Sequence, residues 1–175
     1  LAAMLLNEGR LDEAEPVLRE VLASDPAAGF MHLSALLGKV RDASAARALV
    51  ERLAAAHSQV AEGRYAVAQA AANAGDMPAA LAALEKANRL RPGWEPGALL
   101  RAQILARTSP ADALAFMRDF LAAYPEARDV RLAYARALVN ANQFAEGRAQ
   151  FERLAGELPR NAEVSFAAGL LALQM

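Results

Sequence analysis

The chain predicts an all-α fold, a solenoid of stacked antiparallel helix pairs with about eleven helices, and three observations lead there. Of its 175 residues 55% are apolar and 22% charged, with alanine dominant and aromatic, β-branched and glycine residues sparse. That balance folds, and it favours helix over sheet. The marks Pro26, Ser58, Pro92, Pro125 and Pro159 are spaced by 32, 34, 33 and 34 residues. Ahead of each mark a small residue is followed four later by a large apolar one, the pattern of a helical hairpin that cannot bury both faces alone and must stack on its neighbours.

On this ruler the chain is one array over 1–175, with repeats at about 1–26, 27–58, 61–92, 95–125 and 128–159 and the first helix of a sixth over 162–175. Repeat 1 enters partway through a helix at Leu1 to Asn7 and turns at Gly9-Arg10. Asp12 with Glu15 resembles a capping box, which puts Pro16 in the first helical turn, where a missing amide is tolerated. Repeat 2 carries Phe30, Leu33, Ser34 and Leu37, then Ala46, Val50 and Leu53, with Arg41 in place of the turn glycine and Ser58 in place of the closing proline. Two residues are missing between Pro26 and Phe30, which predicts a tightened junction.

Repeat 3 restores the pattern with Val67, Ala68 and Ala71, the turn Ala74-Gly75-Asp76, then Ala80, Leu84 and Ala87. Pro78 suits a helix start, where its fixed φ is already helical. Repeat 4 places Ala102 and Leu105 on its first helix and opens its second with Ser109-Pro110, ahead of Ala113, Met117 and Phe120. This register deletes one residue at Arg107-Thr108 and keeps Arg101 away from the close helix approach, since a buried, unpaired guanidinium is far more costly than a shorter turn. Repeat 5 has Tyr134, Ala135 and Leu138, a turn at Asn142, then Gly147, Phe151 and Leu154.

The second helices share a design. Their small positions are Ala14, Ala46, Ala80, Ala113 and Gly147, and the large residues facing them are Leu18, Val50, Leu84, Met117 and Phe151. Backbones approach closely only where no long side chain intervenes, so these are expected core positions. Met117 is read as core for this reason, not as a soft metal ligand.

Composition and motifs exclude several function classes. A net charge of −1 and a pI near 6.2 give no basic surface for nucleic acid, and the arginines are expected on outer faces. No apolar run is long enough to span a bilayer. The absence of cysteine removes disulfides and thiolate metal sites, and suits cytoplasm and periplasm equally. His32 and His57 lack ligand or catalytic spacing, and read as surface or junction residues. Asp12, Glu13 and Glu15 cluster where a helix macrodipole favours them. Ser34, Ser58, Ser109 and Ser165 form no nucleophile elbow, and Gly93 and Gly97 lack the lysine of a phosphate loop. The expectation is a non-catalytic protein with no metal and no cofactor.

The chain resembles a bacterial tetratricopeptide repeat protein over its whole length. The resemblance rests on Gly9, Ala14, Leu18 and Pro26, on Gly75, Ala80, Leu84, Ala87 and Pro92, and on Ala135, Leu138, Phe151 and Pro159. It departs at the aromatic early in the first helix, mostly absent here, and at the second repeat. The resemblance implies a right-handed superhelix whose first helices line a concave groove. It points to Met31 and Ala35, Tyr65 and Gln69, Leu99 and Gln103, Leu132 and Arg136, and Phe166 and Leu170, with Lys39, Asn73, Arg107 and Asn140 one turn further on.

Of these, Met31, Tyr65, Gln69, Asn73, Gln103, Leu132, Arg136, Asn140 and Phe166 form the candidate binding set, apolar residues alternating with amides as an extended or helical peptide requires. The leading expectation is a scaffold for a protein or peptide partner. An accessory domain of a larger enzyme or secretion assembly is the second, since both ends fall mid-repeat and the chain reads as a segment of a longer protein. The third is a homodimer formed through the apolar terminal helices, Leu1 to Leu6 and Phe166 to Leu173.

Overall fold

The structure, a computed structural model, describes residues 1–157, and among them the regular elements are ten α-helices. They are α1 (Ala2–Glu8), α2 (Leu11–Ser24), α3 (Pro26–Leu37), α4 (Ala43–Ala56), α5 (Ala61–Asn73), α6 (Met77–Leu90), α7 (Glu95–Thr108), α8 (Pro110–Ala123), α9 (Arg128–Asn140) and α10 (Phe144–Glu157). The helix expected over 162–175 lies outside the described residues. Two compact units make up the chain, Leu1–Gly97 and Ala98–Met175.

In the first unit α1 packs on α2, α2 on α3 and α4, and α5 on α3, α4 and α6, the neighbour-to-neighbour stacking of a helical-hairpin array. Its core is built around Leu6, Leu22, Phe30, Leu33, Leu49, Val50 and Leu53, all essentially without solvent exposure. In the second unit α9 packs on α8 and α10. Met117, Phe120, Val130, Tyr134 and Leu138 form one buried cluster there, and Ala135, Phe151 and Leu154 another. The expected small positions Ala14, Ala46, Ala80, Ala113 and Gly147 are buried, as are the large residues Leu18, Val50, Leu84, Met117 and Phe151.

Turn chemistry sets the hairpins. Gly75 turns with φ 83°, and Asn142 holds the equivalent left-handed position in repeat 5 at φ 60°, a conformation asparagine tolerates better than most residues. Asp42 and Asp76 then cap α4 and α6, their carboxylates accepting from Ala45 N at 2.9 Å and Ala79 N at 3.0 Å. Ser109 caps α8 in the same way, accepting from Asp112 N at 3.3 Å. Pro78 lies in the first turn of α6, as its fixed φ requires.

Several expectations need correction. No side chain caps α2, which begins at Leu11 with Arg10 as the flanking residue, so Asp12 and Glu15 form no capping box. The left-handed Gly9 lets the helix start early, and Arg10 instead bridges Glu8 at 2.9 Å and Glu13 at 2.6 Å. Pro16 is therefore the sixth helical residue, beyond the first turn, and removes the amide bond to the exposed Asp12 carbonyl. Pro26 does not close repeat 1; it opens α3.

Asp25 alone links α2 to α3, ending one helix and capping the next through Ala28 N at 3.0 Å, whereas residues 57–60, 91–94 and 124–127 form the other inter-repeat links among the described residues. The tightened junction is thus found, one residue against four. In repeat 4 Arg107 and Thr108 belong to α7, and the shortening leaves Ser109 as the whole link. Ala102 is buried, in keeping with the chosen register, while Arg101 lies 4.8 Å from the Phe116 ring centroid in a cation–π contact. Arg131 departs from the outer-face expectation: it is 3% exposed, and its guanidinium donates to Gln150 Oε1 at 3.0 Å and to the Pro125 carbonyl. These acceptors satisfy its two terminal nitrogens and offset their burial, while Nε is buried without a partner.

Two measurements check this account. Phe30→Ala, at a residue without solvent exposure, is expected to cost about 3–5 kcal/mol, read as a lower urea midpoint by circular dichroism; a midpoint unchanged from wild type would contradict the packing. Asp76 is held below the usual carboxylate range, first by its bond from Ala79 N and then by Arg47, and its stabilisation is present at neutral pH and lost as pH falls through its depressed folded pKa. Asp76→Asn should therefore flatten the acid side of the stability–pH curve below about pH 4, followed by thermal melts across that range.

Candidate functional site

The surface that packing leaves on the first helices is the candidate site, and each unit is taken by itself. In the first unit α5 lies against α3, and Gly63 stands at the contact: a Cβ there would meet the Phe30 ring at 3.1 Å. Met31 and Ala35 are exposed on α3. Tyr65, Gln69 and Asn73 follow one another at successive turns of α5, the first two half-buried and the third exposed.

Their polar groups are arranged by one side-chain bond. Gln69 Nε2 donates to Asn73 Oδ1 at 3.3 Å, which leaves the Gln69 carbonyl as an acceptor and the Asn73 amide as a donor, the complement of a peptide backbone. Tyr65 meets Trp94 edge to face at 5.4 Å, and burial pushes its hydroxyl pKa up, so it stays a neutral O–H donor at physiological pH.

Trp94 is the residue that sequence reasoning missed. It ends the link of residues 91–94 that leads into α7, a stretch the sequence offers only as an inter-repeat turn. Arg91 lies over its ring at 5.3 Å and pairs with the buried carboxylate of Glu62 at 2.6 Å, while a Cβ at Gly97 would meet the indole at 3.2 Å. The signal was available: Trp94 is the single tryptophan of the chain, and it stands at the end of the link leading from Arg91.

In the second unit Gln103 is exposed on α7, and Arg136 and Asn140 are exposed on successive turns of α9. Leu132 is half-buried against the Ala135, Phe151 and Leu154 cluster, so part of its surface is spent on packing. Tyr134, expected in the core, is buried there with its hydroxyl donating to Glu146 at 2.7 Å; burial foremost, then that bond, pushes its pKa up to about 12. Phe166 and Leu170 lie outside the described residues.

The residues considered for other chemistry are placed plainly. His57 packs edge-on against Phe30 at 5.7 Å in the link before α5, a junction residue as expected, and His32 is exposed. Glu15 is held by Arg19 at 2.7 Å and Arg52 at 2.6 Å. Among the described residues no three His, Asp or Glu side chains are gathered as a metal site would need, and no helix is long and apolar enough to cross a membrane.

Comparison with known proteins adds the family. Tetratricopeptide repeat models match residues 34–93 and 105–172. Among solved structures, the chain is similar to TTC0263, a thermophilic TPR protein in Thermus thermophilus, at 20% identity and a TM-score of 0.66, covering 99% of this chain and 96% of that one. It is also similar to MamA, at 16% identity and a TM-score of 0.62 over 93% and 97% of the two chains. YrrB, described as a TPR protein with an unusual peptide-binding site, is 18% identical with a TM-score of 0.54, over 90% and 82%. No curated protein matches the chain in sequence.

Proposed function

The chain belongs to the tetratricopeptide repeat family, and from that premise we propose that it is a non-catalytic scaffold whose first helices hold a peptide or a partner helix. The family fold itself suggests protein–protein interaction. The observation that carries the finer reading is the strip on α5, where Tyr65 backed by Trp94 offers an aromatic anchor beside the Gln69 and Asn73 amides. The peptide-binding site in the description of YrrB supports the same use of the fold. Met31, Gln103, Leu132, Arg136, Asn140 and Phe166 complete the proposed binding set.

Self-association is the second reading, carried by Leu1 and Met4, which stand exposed on or beside α1. Light scattering over a concentration series separates the two, because a scaffold that works as a monomer shows no concentration dependence.

The single tryptophan makes the peptide reading directly measurable. A peptide selected from a random library against the chain should shift Trp94 emission on binding. Tyr65→Ala with Asn73→Ala should weaken that peptide at least tenfold, about 1.4 kcal/mol. Equal affinity of variant and wild type would remove the groove assignment.

A further inference from the structure

Repeats 3 and 5 resolve one piece of local chemistry differently. In each, an arginine on the first helix reaches six residues back to the carbonyl that closes the preceding repeat: Arg131 to Pro125, and Arg64 to Ser58 at 3.4 Å. The equivalence is one of register, since Arg64 and Arg131, Ser58 and Pro125, Lys86 and Arg153, and Leu90 and Glu157 each stand 67 residues apart, two repeats.

In repeat 5 the cations are answered within the chain. Glu157 accepts from Arg128 at 3.1 Å and from Arg153 at 3.4 Å, and Gln150 accepts from Arg131. In repeat 3 the place of Glu157 is taken by Leu90 and that of Gln150 by Ala83, while Arg89 adds a cation where repeat 5 has Gly156. Ser58, Arg64, Lys86, Arg89 and Leu90 line a shallow, open cavity of about 190 Å³ that no carboxylate lines. Lys86 and Arg89 have no carboxylate partner among the described residues, and Glu62, two residues from Arg64, is taken by Arg91. Most of the other arginines are paired, which makes this grouping of unanswered charge distinct.

We propose that this cavity binds a carboxylate brought from outside, on an acidic segment of a partner protein that supplies what Glu157 supplies in repeat 5. The site lies at the link before α5 and the end of α6, apart from the strip of Tyr65, Gln69 and Asn73. Its shape selects the ligand. The cations are spread over two helices and the cavity is open, so a small ion is not enclosed, whereas a glutamate side chain offers its carboxylate to the guanidinium and ammonium groups and its methylenes to Leu90, which lines the same cavity. The helix macrodipole accounts for a cation in the last turn of α6 but not for Arg64, which is on α5.

Fluorescence anisotropy with fluorescein-labelled hexaglutamate tests the site on the chain as it stands, with labelled hexaglutamine as control. Wild type should bind the acidic peptide, more weakly as salt rises, and should not bind hexaglutamine. Leu90→Glu places the carboxylate of repeat 5 into repeat 3 and should weaken binding at least tenfold, as should Lys86→Gln with Arg89→Gln. These three side chains are exposed, so the fold should be retained, which circular dichroism checks. Tyr65→Ala with Asn73→Ala should leave hexaglutamate binding intact, which separates this site from the groove. No binding by wild type, or full binding by Leu90→Glu, would overturn the proposal. Displacement by inorganic phosphate as effective as by unlabelled hexaglutamate would overturn the assignment to a peptide.

Discussion

Everything in this chain rests on the close approach of helix backbones at its small positions. Ala14, Ala46, Ala80, Ala113 and Gly147 are buried at one residue per second helix, and a single added Cβ at Gly147 would already stand 3.0 Å from Val139 and 3.4 Å from the Ala135 carbonyl. Helices held this near can be filled by one large residue each, from Leu18 to Phe151, and interiors packed to that density leave little freedom to shift. The partner face of each first helix is thereby fixed, and so is the face left over. The surface left exposed on the first helices is a by-product of this constraint.

The arginines show a second use of the same geometry. Arg47 pairs with Asp76 at 2.8 Å, Arg52 with Glu15, Arg91 with Glu62 and Arg128 with Glu157, tying residues 29 or more apart. Solvent-exposed pairs contribute little each but use up charge that would otherwise face solvent, whereas the bond from Arg91 also answers a buried carboxylate on Glu62. Arg131 goes further, because burial makes its acceptors obligatory. The near-neutral total charge therefore conceals an uneven distribution, with most cations answered locally and the group around Ser58 left open.

Legibility differed between the fold and the site. The repeat register was readable because it depends on residue size at fixed spacing, and the single-residue link at Asp25 followed from two missing residues. Start positions were less readable: the left-handed turn at Gly9 moved the beginning of α2 ahead of Asp12, and Pro26 served the following helix. Within the candidate site, Tyr65, Gln69 and Asn73 were pointed to by the family resemblance, but the support of Tyr65 by Trp94 was not, since it joins α5 to a link 29 residues on. Leu132 was expected to face outward, and its half-burial arose from contacts made across α9 and α10.

The sequence by itself determined the all-helical class, the period and the small and large core positions, because each is a local matter of residue size and helix propensity. Only the tertiary structure decided which charges meet. Glu62 with Arg91, Tyr134 with Glu146, Arg131 with Gln150, and the unanswered cations beside Ser58 are pairings between separate elements. The pattern of residue size that sets the core does not encode them, for electrostatic partners are set by distance in space.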